Sequence, residues 1–383
     1  GGSVRRREQD IAYEHSHLSF TEVPSFNFLS LLSSIKSFVK IPYIFLKLIG
    51  AMRRAEHLHL RCPGNIGLLA CIVQIFFPSK PKSAKYAGNW DPQAEQPWSY
   101  RFQKWILSNT FLTRNMQVLV YGEWPGQTKN VLPFFTASFS EKERAEVQKK
   151  AFSGSFTFLF VGNLVEGKRP LDAIKIVEEL NLRLKEGTNR EIRANSVRAR
   201  LEIYGDGPER EKLEIHVKKN QLEEFVTFKA SRPLEELKKA YQKAHVVILP
   251  SKSEGWPKAL AEGMFFGCIP IATPVSCVPW MLDFGNRGIL LSDQANGQKL
   301  KANSSNEWSG VSGQWAGDLE KFRNLLTDPE RMKRMSEEAK KWSQQYTMER
   351  FEAAVIGILE KSKEKSSSPF GRACRPRGGG GVG

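Results

Sequence analysis

Residues 244–273 read AHVVILPSKSEGWPKALAEGMFFGCIPIAT, and their pattern decides the fold. The apolar run 245–249, closed by Pro250 and Ser251, has the signature of a strand buried on both faces. A polar turn follows. Pro257 suits the first helical position, residues 258–266 place apolar side chains at helical spacing, and Gly267 ends the helix. Residues 268–273 are apolar again, with β-branched Ile269, Ile271 and Thr273, so strand, helix and returning strand form a parallel unit. Glu254 stands at the carboxyl edge of the first strand, and Glu262, eight positions on, lies within the helix. Both carboxylates can therefore face one crevice. The helix N-terminus between them offers unpaired N–H groups and the positive end of a dipole, which suit a phosphate.

The same alternation extends outward. Strands are expected at 156–161, 201–204 and 226–228, with helices at 171–184, 209–220 and 233–243 between them and a last strand at 285–291. Residues 185–200 read as a polar insertion and 292–314 as a loop, followed by helices at 317–326, 329–345 and 347–361. In the first half, helices at 26–39 and 43–52 are broken at Pro42. Strands at 56–61, 85–91, 117–121 and 131–135 alternate with helices at 66–77 and 100–112, which is half of a doubly wound fold. No glycine-rich phosphate loop stands near the start. The chain opens on Gly1, so the first strand and helix of this domain are expected upstream of it.

At 383 residues the chain exceeds one ordinary core. The organisation expected is an N-terminal domain over 1–150, incomplete at its start, a second domain over 151–345, a crossover helix over 346–361 and a disordered tail over 362–383. The net charge is +16, and residues 1–150 carry 20 Lys and Arg against 11 Asp and Glu. Such a balance fits nucleic acid, anionic lipid or a phosphorylated substrate. Lys36, Lys40 and Lys47 fall near one face of the early helices. The helices read either as core-packed or as lying in the plane of an anionic membrane. Five scattered cysteines without metal-ligand spacing point to a reduced, cytoplasmic compartment, with peripheral attachment to the inner face of a membrane left open.

Three features converge on a nucleoside-diphosphate ligand: Gly162 after a strand, the Lys168 ammonium, and the two glutamates flanking a helix end. In this order, 156–361 resembles the retaining GT-B glycosyltransferases with a Glu-x7-Glu motif, here Glu254 and Glu262 within SEGWPKALAEG. The resemblance implies two Rossmann-like doubly wound domains facing a cleft. It further implies transfer, with retention, of a hexosyl group from a UDP- or GDP-sugar to a glycan or lipid-linked acceptor, as in polysaccharide biosynthesis.

By the same resemblance Glu254 meets sugar hydroxyls, Glu262 the ribose, Gly255 and Trp256 the sugar through their backbones, and the amides of Lys258 and Ala259 the diphosphate. Gly162, Asn163, Lys168 and Arg169 complete the donor side; Asn163 stands where many members carry arginine, and Pro257 where a glycine is common. His59 and Arg61, at a strand's carboxyl end, join Glu254 and Lys168 as catalytic candidates, and Asn65 falls on the acceptor side. No cofactor is required beyond the donor, no metal is expected, and nucleic acid is not expected as a partner. The alternatives are an inactive or truncated nucleotide-sugar-binding subunit and a GT-B nucleotide-sugar epimerase. A glycosidase would need its carboxylates across the scissile bond, and a dinucleotide enzyme Gly-x-Gly-x-x-Gly, which GDGPER is not.

Overall fold

The computed structural model describes residues 17–24, 31–147, 150–186, 198–292 and 316–367. Two compact units divide the chain, Gly1–Phe134 with Ala353–Gly383, and Phe135–Glu352. Among the described residues of the first unit, α1 (Leu31–Arg54) leads to β1 (Leu58–Cys62), α2 (Asn65–Val73), β2 (Lys82–Tyr86), α3 (Trp98–Ser108), β3 (Met116–Tyr121) and β4 (Val131–Phe134). These strands form a parallel sheet in the order β1-β2-β3-β4. In β1 the alternation of Leu58, Leu60 and Cys62 against His59 and Arg61 becomes a buried row and an exposed row. The buried row packs with Met52, Val73, Ile106 and Val118 into the core of this unit.

The second unit contains β5 (Ser155–Val161), α4 (Pro170–Glu186), β6 (Arg198–Tyr204), α5 (Arg210–Lys219), β7 (Val226–Phe228), α6 (Leu234–Lys243), β8 (Val246–Leu249), α7 (Lys258–Phe265), β9 (Ile269–Ala272), α8 (Val278–Met281) and β10 (Ile289–Leu290). After these come α9 (Ala316–Leu326), α10 (Pro329–Ser343) and α11 (Met348–Ser367), which begins in the second unit and ends in the first. The sheet is parallel throughout, in the order β10-β9-β8-β5-β6-β7. Its core strands are buried at every position of β8 and β9, as their uninterrupted apolar runs require.

Several boundaries differ from expectation. Pro42 lies inside a single helix, α1, because a proline costs one backbone hydrogen bond and the flanking turns keep theirs. The segment expected before it from 26 lies outside the described residues up to 30, as do the side chains of 31–39, Lys36 included. The second strand is 82–86, not 85–91: all five of its side chains are buried, and the Gly88-Asn89 stretch that follows leaves the sheet. Pro257 is the residue before α7 and not its first turn, with φ −74° and ψ 85°. The last strand shrinks to two residues, Ile289 and Leu290, after a turn in which Asp283 and Phe284 are left-handed, φ 47° and 52°. Helix α11 runs through Ser367, past the expected start of the tail at 362; residues 368–383 lie outside the described residues, as does most of the expected insertion, 187–197.

Candidate active site

In the second unit β5 pairs with β6 on one side and with β8 on the other, so the strand order reverses between β5 and β8. Loops leaving the carboxyl ends of these two strands diverge to opposite faces of the sheet, and a crevice opens between them. Gly162 follows β5. A side chain there would meet nothing within 4 Å, so its backbone faces open space that a ligand can enter. The loop is held from behind: Gly162 N–H donates to Tyr204 O at 3.0 Å, and Leu164 N–H to Asp206 O at 2.9 Å. A Cβ on Gly205 would stand 1.9 Å from Gly162 O, and one on Gly207 2.4 Å from Leu164 O. The GDG run is therefore glycine because two backbones touch, not because it makes a solitary turn.

The two crevice loops are tied directly. Lys252 N–H donates to Gly167 O at 2.8 Å, and the Lys252 ammonium lies 2.6 Å from Glu166 Oε1. Next to them, the Lys168 Nζ donates to Glu254 Oε1 at 2.6 Å. Glu254 is buried and Lys168 half-buried, so the carboxylate's charge is balanced where water is scarce. Arg169 adopts a left-handed conformation, φ 51°, as the chain turns into α4, and pairs at 3.9 Å with Asp172. Burial raises the Asp172 pKa against the pull of Arg169. Asn163 contributes its carbonyl to the loop, accepting from Val165 N–H. At the end of β8, Ser251 is fully buried and its hydroxyl has no partner among the described residues, the kind of atom a ligand satisfies.

Glu262 is placed differently from Glu254. Its Oε1 accepts from Ser138 Oγ at 2.7 Å, its Oε2 from the Tyr241 hydroxyl at 3.1 Å, and Lys258 approaches to 3.8 Å. Burial, then the charge and hydrogen bond of Glu262, push the Tyr241 pKa well up, so the phenol stays a donor. Each carboxylate oxygen keeps a second lone pair. Gly255 O accepts from Ser276 Oγ at 3.2 Å and from Cys277 Sγ at 3.3 Å. Trp256 is buried, stacked on Trp342 with ring centroids 6.1 Å apart and flanked by Trp280 and Tyr346; only its backbone is left for a ligand. Helix α7 has no side-chain cap at its N-terminus, where Lys258 and Ala259 carry two of the N–H groups that intrahelical bonds leave over. Ser138, Tyr241 and Ser276 carry no local signal as site residues; for Gly205 the double glycine of GDGP is the available sign of a close approach.

The first-unit candidates form their own cluster. His59 Nδ1 and His57 Nε2 both lie 2.9 Å from Ser83 Oγ, and Arg61 stands in register with Lys85. Loss of hydration, then the charges of His57, Lys85 and Arg61, lower the His59 pKa, so near pH 7 the ring is neutral. Burial and then Arg61 bring Lys85 down to about 8. Asn65 is the first residue of α2 and exposed. Among the described residues no group of three or more His, Cys, Asp or Glu is placed to hold a metal ion, and no helix is long and apolar enough to cross a membrane.

The family model for glycosyl transferases group 1 matches residues 141–342. Among curated proteins, the putative colanic acid biosynthesis glycosyltransferase WcaL of Salmonella typhimurium is 29% identical over 133 residues, 32% of this chain and 33% of that protein. The uncharacterized glycosyltransferase MJ1178 of Methanocaldococcus jannaschii is 25% identical over 214 residues, 56% of this chain and 50% of its own. The chain thus spans a third to a half of these relatives. Among solved structures, the pneumococcal O-GlcNAc transferase GtfA in complex with UDP and GlcNAc aligns with a TM-score of 0.57 at 14% identity, covering 84% of this chain and 60% of that one. The sucrose-phosphate synthase of Thermosynechococcus elongatus aligns at 0.56 and 18%, covering 87% and 80%. At such identities the likeness establishes the α/β fold of parallel sheets that GT-B glycosyltransferases share.

Proposed function

This chain belongs to the glycosyl transferases group 1 family, and from that premise we propose that its second unit holds a nucleoside-diphosphate sugar for retaining transfer of a hexosyl group. The observation that carries the reading is the Lys168–Glu254 pair at the point where the strand order reverses. An ammonium has three donors, so Lys168 can keep Glu254 and still take a phosphate oxygen. Glu254 then has its second oxygen for sugar hydroxyls. The amides of Lys258 and Ala259 receive the diphosphate at the uncapped end of α7, with Gly162 and Asn163 lining the opposite loop.

Charge builds on the leaving diphosphate as the anomeric bond breaks. Lys168 and the α7 dipole are aimed at it beforehand, so the stabilisation needs little reorganisation. Glu262, held by Ser138 and Tyr241, offers its remaining lone pairs to the ribose. Arg169, already paired with Asp172, serves the loop's conformation before it serves a phosphate. The acceptor, a glycan or a lipid-linked saccharide, is assigned to His59, Arg61 and Asn65 in the first unit. The similarity to WcaL, named as a putative colanic acid biosynthesis glycosyltransferase, supports polysaccharide assembly as the setting.

Titration calorimetry with UDP and with GDP tests the donor site. UDP is the first choice, being the nucleotide bound in GtfA. One of the two nucleotides should bind, and Glu262→Ala and Lys168→Met should each weaken it about tenfold or more, roughly one charged hydrogen bond. If neither nucleotide binds the unaltered chain at about millimolar concentration, an affinity near 4 kcal/mol, the donor reading fails.

A further inference from the structure

Helix α3 in the first unit buries Gln103, Ile106 and Leu107 and turns Trp98, Arg101, Phe102 and Trp105 outward. On a helical wheel those four fall within about a third of the circumference. Exposure is large for such rings, 71% for Trp98 and 56% for Trp105, and Phe111 just beyond the helix is 70% exposed. Phe102 and Trp105 stack with centroids 5.7 Å apart and planes 10° from parallel, and the Arg114 guanidinium covers the Phe111 ring at 4.6 Å. Rings of this size are ordinarily the payload of a core. Here they are exposed, with Arg101 on the same face of α3 and Arg114 over Phe111.

Helix α2 packs on α1 as well as on α3, so the three form one layer. In α1 the same pairing recurs: Tyr43 and Leu46 are exposed, and the Lys47 ammonium lies 5.5 Å from the Tyr43 ring. From Lys40 to Asn115 the chain carries eleven Lys and Arg against three acids, Glu56, Asp91 and Glu95. Exposed large apolar side chains in the second unit are scattered on different elements, Ile215 on α5 and Leu234 on α6.

We propose that the outward face of α3, formed by Trp98, Arg101, Phe102 and Trp105, docks on an anionic lipid bilayer, with the rings entering at headgroup depth and the guanidinium group meeting lipid phosphates. Tryptophan is suited to that depth because its ring is apolar and its N–H needs a polar partner. Arginine beside it adds attraction to negative lipid. A protein partner would be expected to cover the rings with little call for the excess of cations; an anionic bilayer uses both. The proposed surface lies on α3 and does not depend on the donor chemistry.

Sedimentation of the full chain with vesicles tests it. Binding to mixed phosphatidylcholine and phosphatidylglycerol should exceed binding to phosphatidylcholine alone. The triple variant Trp98→Ser, Phe102→Ser, Trp105→Ser should lose at least about tenfold in partition, and Arg101→Gln about fivefold, the equivalent of one surface cation. The double variant Ile215→Ser, Leu234→Ser on the second unit should bind as the unaltered chain does. Should the triple variant misfold, quenching of the unaltered chain's tryptophan fluorescence by brominated phosphatidylglycerol takes its place as the readout. No preference for anionic vesicles, undiminished binding by a folded triple variant, or quenching only by a soluble polysaccharide would each overturn the proposal.

Discussion

The two sheets are built from the same unit, a parallel strand returned by a crossover, yet they are ordered differently. In the first, strands step one way, β1-β2-β3-β4; in the second, the order reverses at β5, with β6 and β7 on one side and β8, β9 and β10 on the other. Right-handed crossovers then put α2 and α3 on one face of the first sheet, whereas in the second the helices divide between both faces. A crevice needs that division. Where order reverses, neighbouring loops part, and Lys168 and Glu254 meet in the gap. Where it does not, a continuous helical layer results, and the first unit shows the outside world a face of rings and cations.

Charge is handled differently as well. The second unit balances its buried Glu254 with Lys168. The first buries Lys82 against carbonyl oxygens, Phe77 O at 3.1 Å and Gln74 O at 3.3 Å, and burial drags its pKa down to about 8. Backbone dipoles satisfy the donors but do not cancel the charge.

The strongest way to break this contrast is at the glycines. Gly205→Ala forces a Cβ onto Gly162 O and should destabilise the second unit by about 4 kcal/mol or more, abolishing nucleotide binding. Gly50→Ala, in α1 with open space around it, should be neutral or slightly stabilising. Hydrogen exchange read on peptides from each unit separates the two effects, and equal loss in both units would show that they do not fold as described.

Titration sharpens the contrast next. His245 accepts from Thr157 N–H through Nδ1 and donates to Ala151 O, and burial, then Lys150, lowers its pKa to about 4. A depressed folded pKa means stability held in full above the unfolded value of 6.5 and lost as pH falls through about 4. Peptides of the second unit should lose about 3 kcal/mol of protection over that window. For Lys82 the ordinary value is 10.5 and the folded one about 8, so the unfolded chain binds more protons between them. The first unit should therefore gain stability as pH rises from 8 to 10.5, up to about 3 kcal/mol from Lys82 and a like amount from Lys85, and Lys82→Met should about halve that gain. A second unit that followed the alkaline rise would sink this assignment.

The smallest effect expected is on the support of Glu262. Tyr241→Phe removes one donor and should cost about 1 kcal/mol of second-unit stability, with a weaker nucleotide site in calorimetry. Unchanged affinity would separate Glu262's structural bonds from ligand binding.

Local sequence reached far into the second unit. Its six strands, the helix after Glu254 and the stop at Gly267 follow from apolar periodicity and glycine, because both act within a few residues of the positions they govern. The differences at short range have the same origin: at Pro42 proline's local cost is visible in the sequence, and the turns that keep α1 continuous around it are not. The pair Lys168–Glu254 could be anticipated only as two residues at strand ends; that they touch depends on β5 and β8 becoming neighbours across 86 residues of chain.

By itself the sequence determined most of the strands and helices of the second unit and which few acids and cations stand at strand ends. Tertiary structure alone decided the rest: the strand order that opens a crevice in one unit, Ser138 and Tyr241 arriving on Glu262, the backbone contact that makes Gly205 glycine, and the α3 rings left outside. Periodicity states that a face is apolar. Only packing states what, if anything, covers it.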